Sequence, residues 1–154
     1  MNKLLERIVD TFWYNLGRVP EEEFYIDEHV ERGNCQVVER LLLSDPSLAN
    51  HRDGFGTPLL SLAVQDRQHK VTALLLRVGC DVNAVDAEGA TALHHAVDED
   101  DSRIFRLLLE YGASPEIADE NGDIALDWAE SSKRECIRKI IKLCAARKPP
   151  GPKR

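Results

Sequence analysis

Residues 86–118 read DAEGATALHHAVDEDDSRIFRLLLEYGASPEIA, and residues 53–85 before them read DGFGTPLLSLAVQDRQHKVTALLLRVGCDVNAV. A third segment, DENGDIALDWAESSKRECIRKIIKL, starts at Asp119. The three starts, Asp53, Asp86 and Asp119, are 33 residues apart, twice. In each segment an aspartate is followed three residues on by glycine (Gly56, Gly89, Gly122), then by an apolar pair, a polar run and a second apolar run. Gly79 and Gly112 close the second run in the first two copies. A fixed period of this length marks a stacked array of small units, none of which can bury its apolar face alone.

Each copy predicts two antiparallel helices and a turn. Pro58 is expected just inside a first helix, where its fixed φ and missing N–H cost nothing. Thr57 and Thr91 are expected to cap that helix through their hydroxyls. Leu59, Leu62 and Ala63 mark one face, and Leu93, Ala96 and Val97 are read as its repeat. The second helices carry Val71, Leu74 and Leu75, then Ile104, Leu107 and Leu108, then Ile137, Ile140 and Ile141. Gly79 and Gly112 suit a left-handed cap, and Asp-x-x-Gly makes the next tight turn.

These residues resemble the ankyrin repeat, whose pattern is Asp-x-x-Gly-x-Thr-Pro-Leu-His-x-Ala, then a helix ending in Leu-Leu, then Gly-Ala-x-x-Asn. Asp53, Gly56, Thr57, Pro58, Leu59, Ala63, Gly79, Asp81 and Asn83 carry the pattern in one copy. Asp86, Gly89, Thr91, Leu93, His94, Ala96, Gly112 and Ala113 carry it in the next, and Asp119, Gly122, Ala125, Leu126 and Ala129 in the last. Upstream, RGNCQVVERLLLSDPSLANHRD, from Arg32 to Asp53, looks like a second helix and its connection. The resemblance covers roughly residues 20–143. One departure stands out. Gly56 abuts Thr57 where the family has Gly-x-Thr, so the second repeat's turn reads one residue short, compensated by a spacing of 34 from Thr57 to Thr91.

The resemblance implies an all-α, ankyrin-type helix-turn-helix solenoid with short β-hairpin-like turns. The expected domain is 1–144, with a capping helix over 1–19, repeats over about 20–52, 53–85, 86–118 and 119–144, and a disordered basic tail over 145–154. Leu4, Leu5, Ile8, Val9, Phe12, Trp13 and Leu16 form the stripe of the capping helix. A further helix is expected from Pro20, packing Phe24, Ile26 and Val30.

Composition limits the function. The longest apolar runs, such as Ala73–Leu76, are far short of the roughly 20 residues a membrane span needs. No signal peptide is read, so an intracellular, cytoplasmic location is expected. Cys35, Cys80, Cys136 and Cys144 form no CxxC pair, so ordinary thiols are expected rather than zinc or a disulfide framework. His94, His95 and Asp98 read as structural rather than as metal ligands, and Trp13 and Trp128 as core. Asn83 is expected to fix the turn before the next hairpin. No nucleophile motif or phosphate loop is present, so no enzyme and no cofactor are expected.

Charge is uneven along the chain. The net is −7, but residues 133–154 hold nine Lys/Arg and one Glu, leaving −15 on residues 1–132. Residues 86–101 hold six acids and residues 107–132 seven, with no Lys or Arg in either stretch. A field of that sign repels nucleic-acid phosphates and attracts basic partners.

In ankyrin-like proteins contacts come from hairpin tips and from inner-helix ends facing a concave groove. Carried onto this chain, those positions are Arg52, Gly54 and Phe55; Val64, Gln65 and Asp66; Ala87, Glu88 and Ala90; Asp98, Glu99 and Asp100; Glu120, Asn121 and Asp123; and Glu130 and Ser131. Phe55 is the expected aromatic anchor. The expected function is protein binding, as a monomer, through an acidic groove to a basic partner surface. Two uses fit: an adaptor or scaffold, or a dedicated inhibitor of a basic protein such as a nuclease toxin. Small size, a lone array and acidity lean toward the second.

Overall fold

The computed structural model describes residues 25–131, 137–140 and 142. The expected capping helix over 1–19, the tail over 145–154, and Trp13, Phe24, Cys136, Ile141 and Cys144 lie outside the described residues. Within them the chain runs through α1 (Ile26–Glu31), α2 (Cys35–Ser44), a 3-10 turn (Pro46–Asn50), α3 (Leu59–Gln65), α4 (His69–Val78), α5 (Ala92–Asp98), α6 (Ser102–Glu110) and α7 (Ala125–Ser131). The helices come in antiparallel pairs, and the first helix of each pair packs on the first helix of the next. That stacking buries what a single pair would leave wet. Ala63, Ala96 and Ala129 are fully buried in the first-helix row, and Val71, Leu74, Leu75, Ile104 and Leu108 in the second-helix row. Leu107 and Ile140 are half-buried against that core, while Ile137, Ile26 and Val30 lie within it.

Between pairs the backbone makes three single antiparallel bridges, Arg52 with Pro58, Val85 with Thr91 and Ala118 with Ile124. The intervening turns are alike. The Asp53 N–H donates to Thr57 O, the Asp86 N–H to Ala90 O, and the Asp119 N–H to Asp123 O. This register corrects the expectation of a shortened turn. Thr57 stands where Ala90 and Asp123 stand, Pro58 stands where Thr91 and Ile124 stand, and the period is 33 from hairpin to hairpin. The apolar correspondence moves by one with it, so that Leu60 rather than Leu59 is the counterpart of Leu93.

The same register corrects the capping. Pro58 precedes the helix, with extended ψ of 143°, and no side chain caps α3. Thr91 does cap α5, in a capping box with His94. Gly79 ends α4 in the left-handed region as expected. Between the paired helices, Arg67 and Asp100 also adopt positive φ, 54° and 53°. Their N–H groups donate back to Val64 O and Val97 O, so the chain reverses without glycine there.

Candidate functional site

Each hairpin is built by one aspartate. Asp53 Oδ1 accepts from the N–H groups of Phe55 (2.9 Å) and Thr57 (2.7 Å). Asp86 Oδ1 accepts from Glu88 (3.0 Å) and Ala90 (2.9 Å), and Asp119 Oδ1 from Asn121 and Asp123 (2.9 Å each). These N–H groups would otherwise have no partner at a tip, and the short Asp side chain reaches two of them at once. Asp123 N–H donation, with the Trp128 and Asn121 donors, holds the Asp119 carboxyl below its ordinary range.

The second carboxylate oxygen fastens the hairpin to the following inner helix. His95 donates its Nε2–H to Asp86 Oδ2 at 2.7 Å, and Trp128 donates its indole N–H to Asp119 Oδ2 at 3.0 Å. The position shared by His95 and Trp128 is held by Leu62 one repeat earlier, which has no polar atom to offer Asp53. Gln65 donates to His95 Nδ1 at 3.2 Å, across the junction of two repeats. Trp128 packs edge-on against both His94 (5.2 Å between centroids) and His95 (6.4 Å). Trp128 is therefore half-buried and hydrogen-bonded at the rim of the core.

Neighbouring units are tied along the same side. Arg52 donates through Nη1 to Gly56 O and to Val85 O, 2.6 Å each. The Glu120 N–H donates to Glu88 O at 2.9 Å. Asn50 Oδ1 accepts from the Asp81 N–H at 2.7 Å, and 33 residues on, Asn83 Oδ1 accepts from Ser114 at 2.8 Å. Asn83 thus fixes its turn and reaches the next repeat.

Most contact positions carried over from the resemblance are exposed: Phe55 (86%), Gln65, Asp66, Glu88, Asp98, Asp100, Glu120, Asn121 and Asp123, with Glu99 half-buried. Two are buried instead of exposed. Ala90 is fully buried, because its N–H and carbonyl close the hairpin on Asp86. Val64 is fully buried between repeats. Arg52 is exposed, but its guanidinium is bound to two carbonyls, so it is a fastener between hairpins. Glu130, near the C-terminal end of α7, is exposed, and Lys142 Nζ is 3.3 Å from it. Sequence reasoning missed Val85, an exposed apolar residue at the base of the hairpin that Arg52 reaches. The signal was present, since Val85 directly precedes Asp86.

The acids divide into two groups. Asp53, Asp86 and Asp119 build the turns. Asp101 is buried and caps α6, accepting from the N–H groups of Arg103 and Ile104 and from His69 Nε2 at 2.6 Å. Burial by itself raises the Asp101 carboxyl; the Ile104 N–H, the His69 ring and the Arg103 N–H outweigh it and hold it below 3.8. Asp45, Asp81 and Asp127 likewise hold the backbone N–H groups of Ser47, Asn83 and Ile124, while Asp66, Glu88, Asp98, Glu99, Asp100, Glu120 and Asp123 stand at tips and helix ends. Burial, with Asp81 beside it, pushes the Cys80 thiol up to about 11, far from a reactive thiolate. Among the described residues no three His, Cys, Asp or Glu side chains converge as a metal site. Nor is any described helix long and apolar enough to cross a membrane.

A family model for ankyrin repeats in three copies matches residues 27–119 and 60–148. The chain belongs to the ankyrin-repeat family, an all-helical solenoid whose repeats generally mediate protein–protein interaction and are typically non-catalytic. A search of curated proteins found no match.

Proposed function

We propose that the chain binds a protein with a basic surface along the line of its hairpin tips and inner-helix ends. The observation that carries this reading is the separation of the acids. Apart from the acids that build turns and caps, Asp66, Glu88, Asp98, Glu99, Asp100, Glu120 and Asp123 stand on the tips and helix ends, and all but Glu99 are exposed. No lysine falls at these positions, and Arg52 is held by Gly56 and Val85. Such a field steers a basic partner to the surface. Phe55, exposed over most of its surface, and Val85 beside the Arg52 fastener supply apolar area that a partner can desolvate.

One use that fits is an adaptor or scaffold docking a basic segment. The acidity of the same line also suits an inhibitor covering a phosphate-binding cleft of a basic protein. Titration of an arginine-rich peptide containing one leucine tests the shared chemistry. Binding should weaken about tenfold or more as salt rises from low to several-fold higher concentration. It should also weaken in the combined variant Asp98→Ser, Glu99→Ser, Asp100→Ser. Binding that ignores both changes removes the acidic line from the reading.

A further inference from the structure

His94 is buried to 1% exposure at the junction between the last two described hairpins, and its two ring nitrogens serve different repeats. Nε2 is 3.2 Å from Asp123 O, a carbonyl that can only accept, so the proton sits on Nε2. Nδ1 is then the acceptor, and it takes the Thr91 N–H at 3.1 Å, with the Thr91 hydroxyl 2.9 Å away. The Thr91 hydroxyl in turn accepts from the His94 N–H, completing the cap of α5. One neutral tautomer thus closes a helix N-terminus and holds the next hairpin.

We propose that His94 is a proton-operated latch: neutral, it locks Thr91 to the hairpin of the following repeat, and protonated, it releases the Thr91 cap. The release follows from valence. A second ring proton leaves Nδ1 with no lone pair for the Thr91 N–H. The hydroxyl of Thr91 can rotate to accept the new proton, but its backbone N–H cannot turn, and Thr91 is buried. A buried donor without a partner is among the costlier defects a fold can carry. The Nε2–H to Asp123 bond survives protonation, so the opening is centred on the start of α5 rather than on the hairpin tip.

The surroundings set the direction. Burial acts most strongly and lowers the His94 pKa from 6.5. The Asp123 carbonyl, Asp119 and Asp86 act against it, and His95 acts with it. Asp98 on the same helix and Asp127 on α7 are exposed. Helix α3 has no ionisable side chain, and α6 packs Ile104, Phe105 and Leu108 into the core while Arg103, Arg106 and Glu110 are exposed.

Trp128 offers a readout, because its indole lies edge-on to His94. In the full chain with Trp13→Phe, acidification from about pH 7.5 to about pH 5 should change Trp128 emission. The change should vanish in His94→Gln, whose amide oxygen can accept from Thr91 without titrating, and persist in His95→Gln. In the unaltered chain, nuclear magnetic resonance should show His94 as the Nε2–H tautomer titrating below 6.5. The protection of the Thr91 amide from exchange should fall by about tenfold or more over the same range. If His94→Gln does not fold, the last two measurements decide alone. A His94 titration at or above 6.5, or Thr91 protection that does not change, overturns the latch. No partner enters the test, so its failure leaves the binding proposal standing.

Discussion

The Asp86 carboxylate meets the His95 ring at 2.7 Å and so joins a hairpin to the inner helix that grows out of it. The same carboxylate holds two backbone N–H groups through its other oxygen. Asp86→Ala removes all three bonds and should destabilise the fold by about 2–3 kcal/mol. Part of that loss is shared with His95, so the double variant Asp86→Ala, His95→Leu should cost less than the sum of the two singles. Urea unfolding midpoints measure both. Strict additivity would mean that the ring contact contributes nothing.

Gly89 and Gly56 occupy equivalent turns with similar positive φ, 76° and 86°. A Cβ on Gly89 would lie 2.9 Å from Glu120 N, whereas one on Gly56 meets nothing within 4 Å. Both alanine variants incur about 1 kcal/mol of left-handed strain. Gly89→Ala should cost more, by about 1 kcal/mol or above, because the neighbouring hairpin backbone must shift. Thermal unfolding of the pair gives the difference directly.

Ser61 takes the place of His94 one repeat earlier, and its buried Oγ has no hydrogen-bond partner among the described residues. The cap residue ahead of it is Pro58, which has no N–H to bond. Ser61→Ala removes a desolvated hydroxyl from a dry site and should leave stability unchanged or raise it by up to about 1 kcal/mol. A loss of stability on that substitution would show that the hydroxyl is satisfied after all.

Acid should unfold the protein in two stages. His94 has a folded pKa below 6.5, so the unfolded chain binds more protons beneath that value. Stability from His94 is complete above 6.5 and falls as pH drops through it. Asp101 has a folded pKa below 3.8, so its contribution is present above 3.8 and is lost as pH falls through the folded value. Unfolding midpoints against pH should therefore begin to decline near 6.5 and fall again under 3.8. Asp119 is held low as well and shares the second decline, so Asp101→Asn should reduce that decline and leave the first.

Phe55 is 86% exposed, so Phe55→Ala should change the unfolding midpoint by less than about 0.5 kcal/mol. Under the proposed function it should still weaken peptide binding by about fivefold or more. Equal binding by the variant and the parent would remove Phe55 as an anchor.

The primary sequence by itself determined the period, the helix pairs and the turns. Those features rest on local chemistry: an aspartate that can reach two N–H groups, a glycine where φ is positive, and apolar residues at helical spacing. Three copies of each make the pattern unambiguous. It also placed most of the exposed tip residues, because a tip is exposed wherever the hairpin is. What only the tertiary structure decided is which repeated position each residue fills and what stands beside it. Thr57 looks like Thr91 in the chain but lies in Ala90's place, because the bridge of Arg52 with Pro58 sets the register. Ala90 is buried, and Arg52 is tied to the next hairpin. The Arg52 tie depends on a neighbour 33 residues away, and one repeat read alone contains no information about what will be stacked upon it.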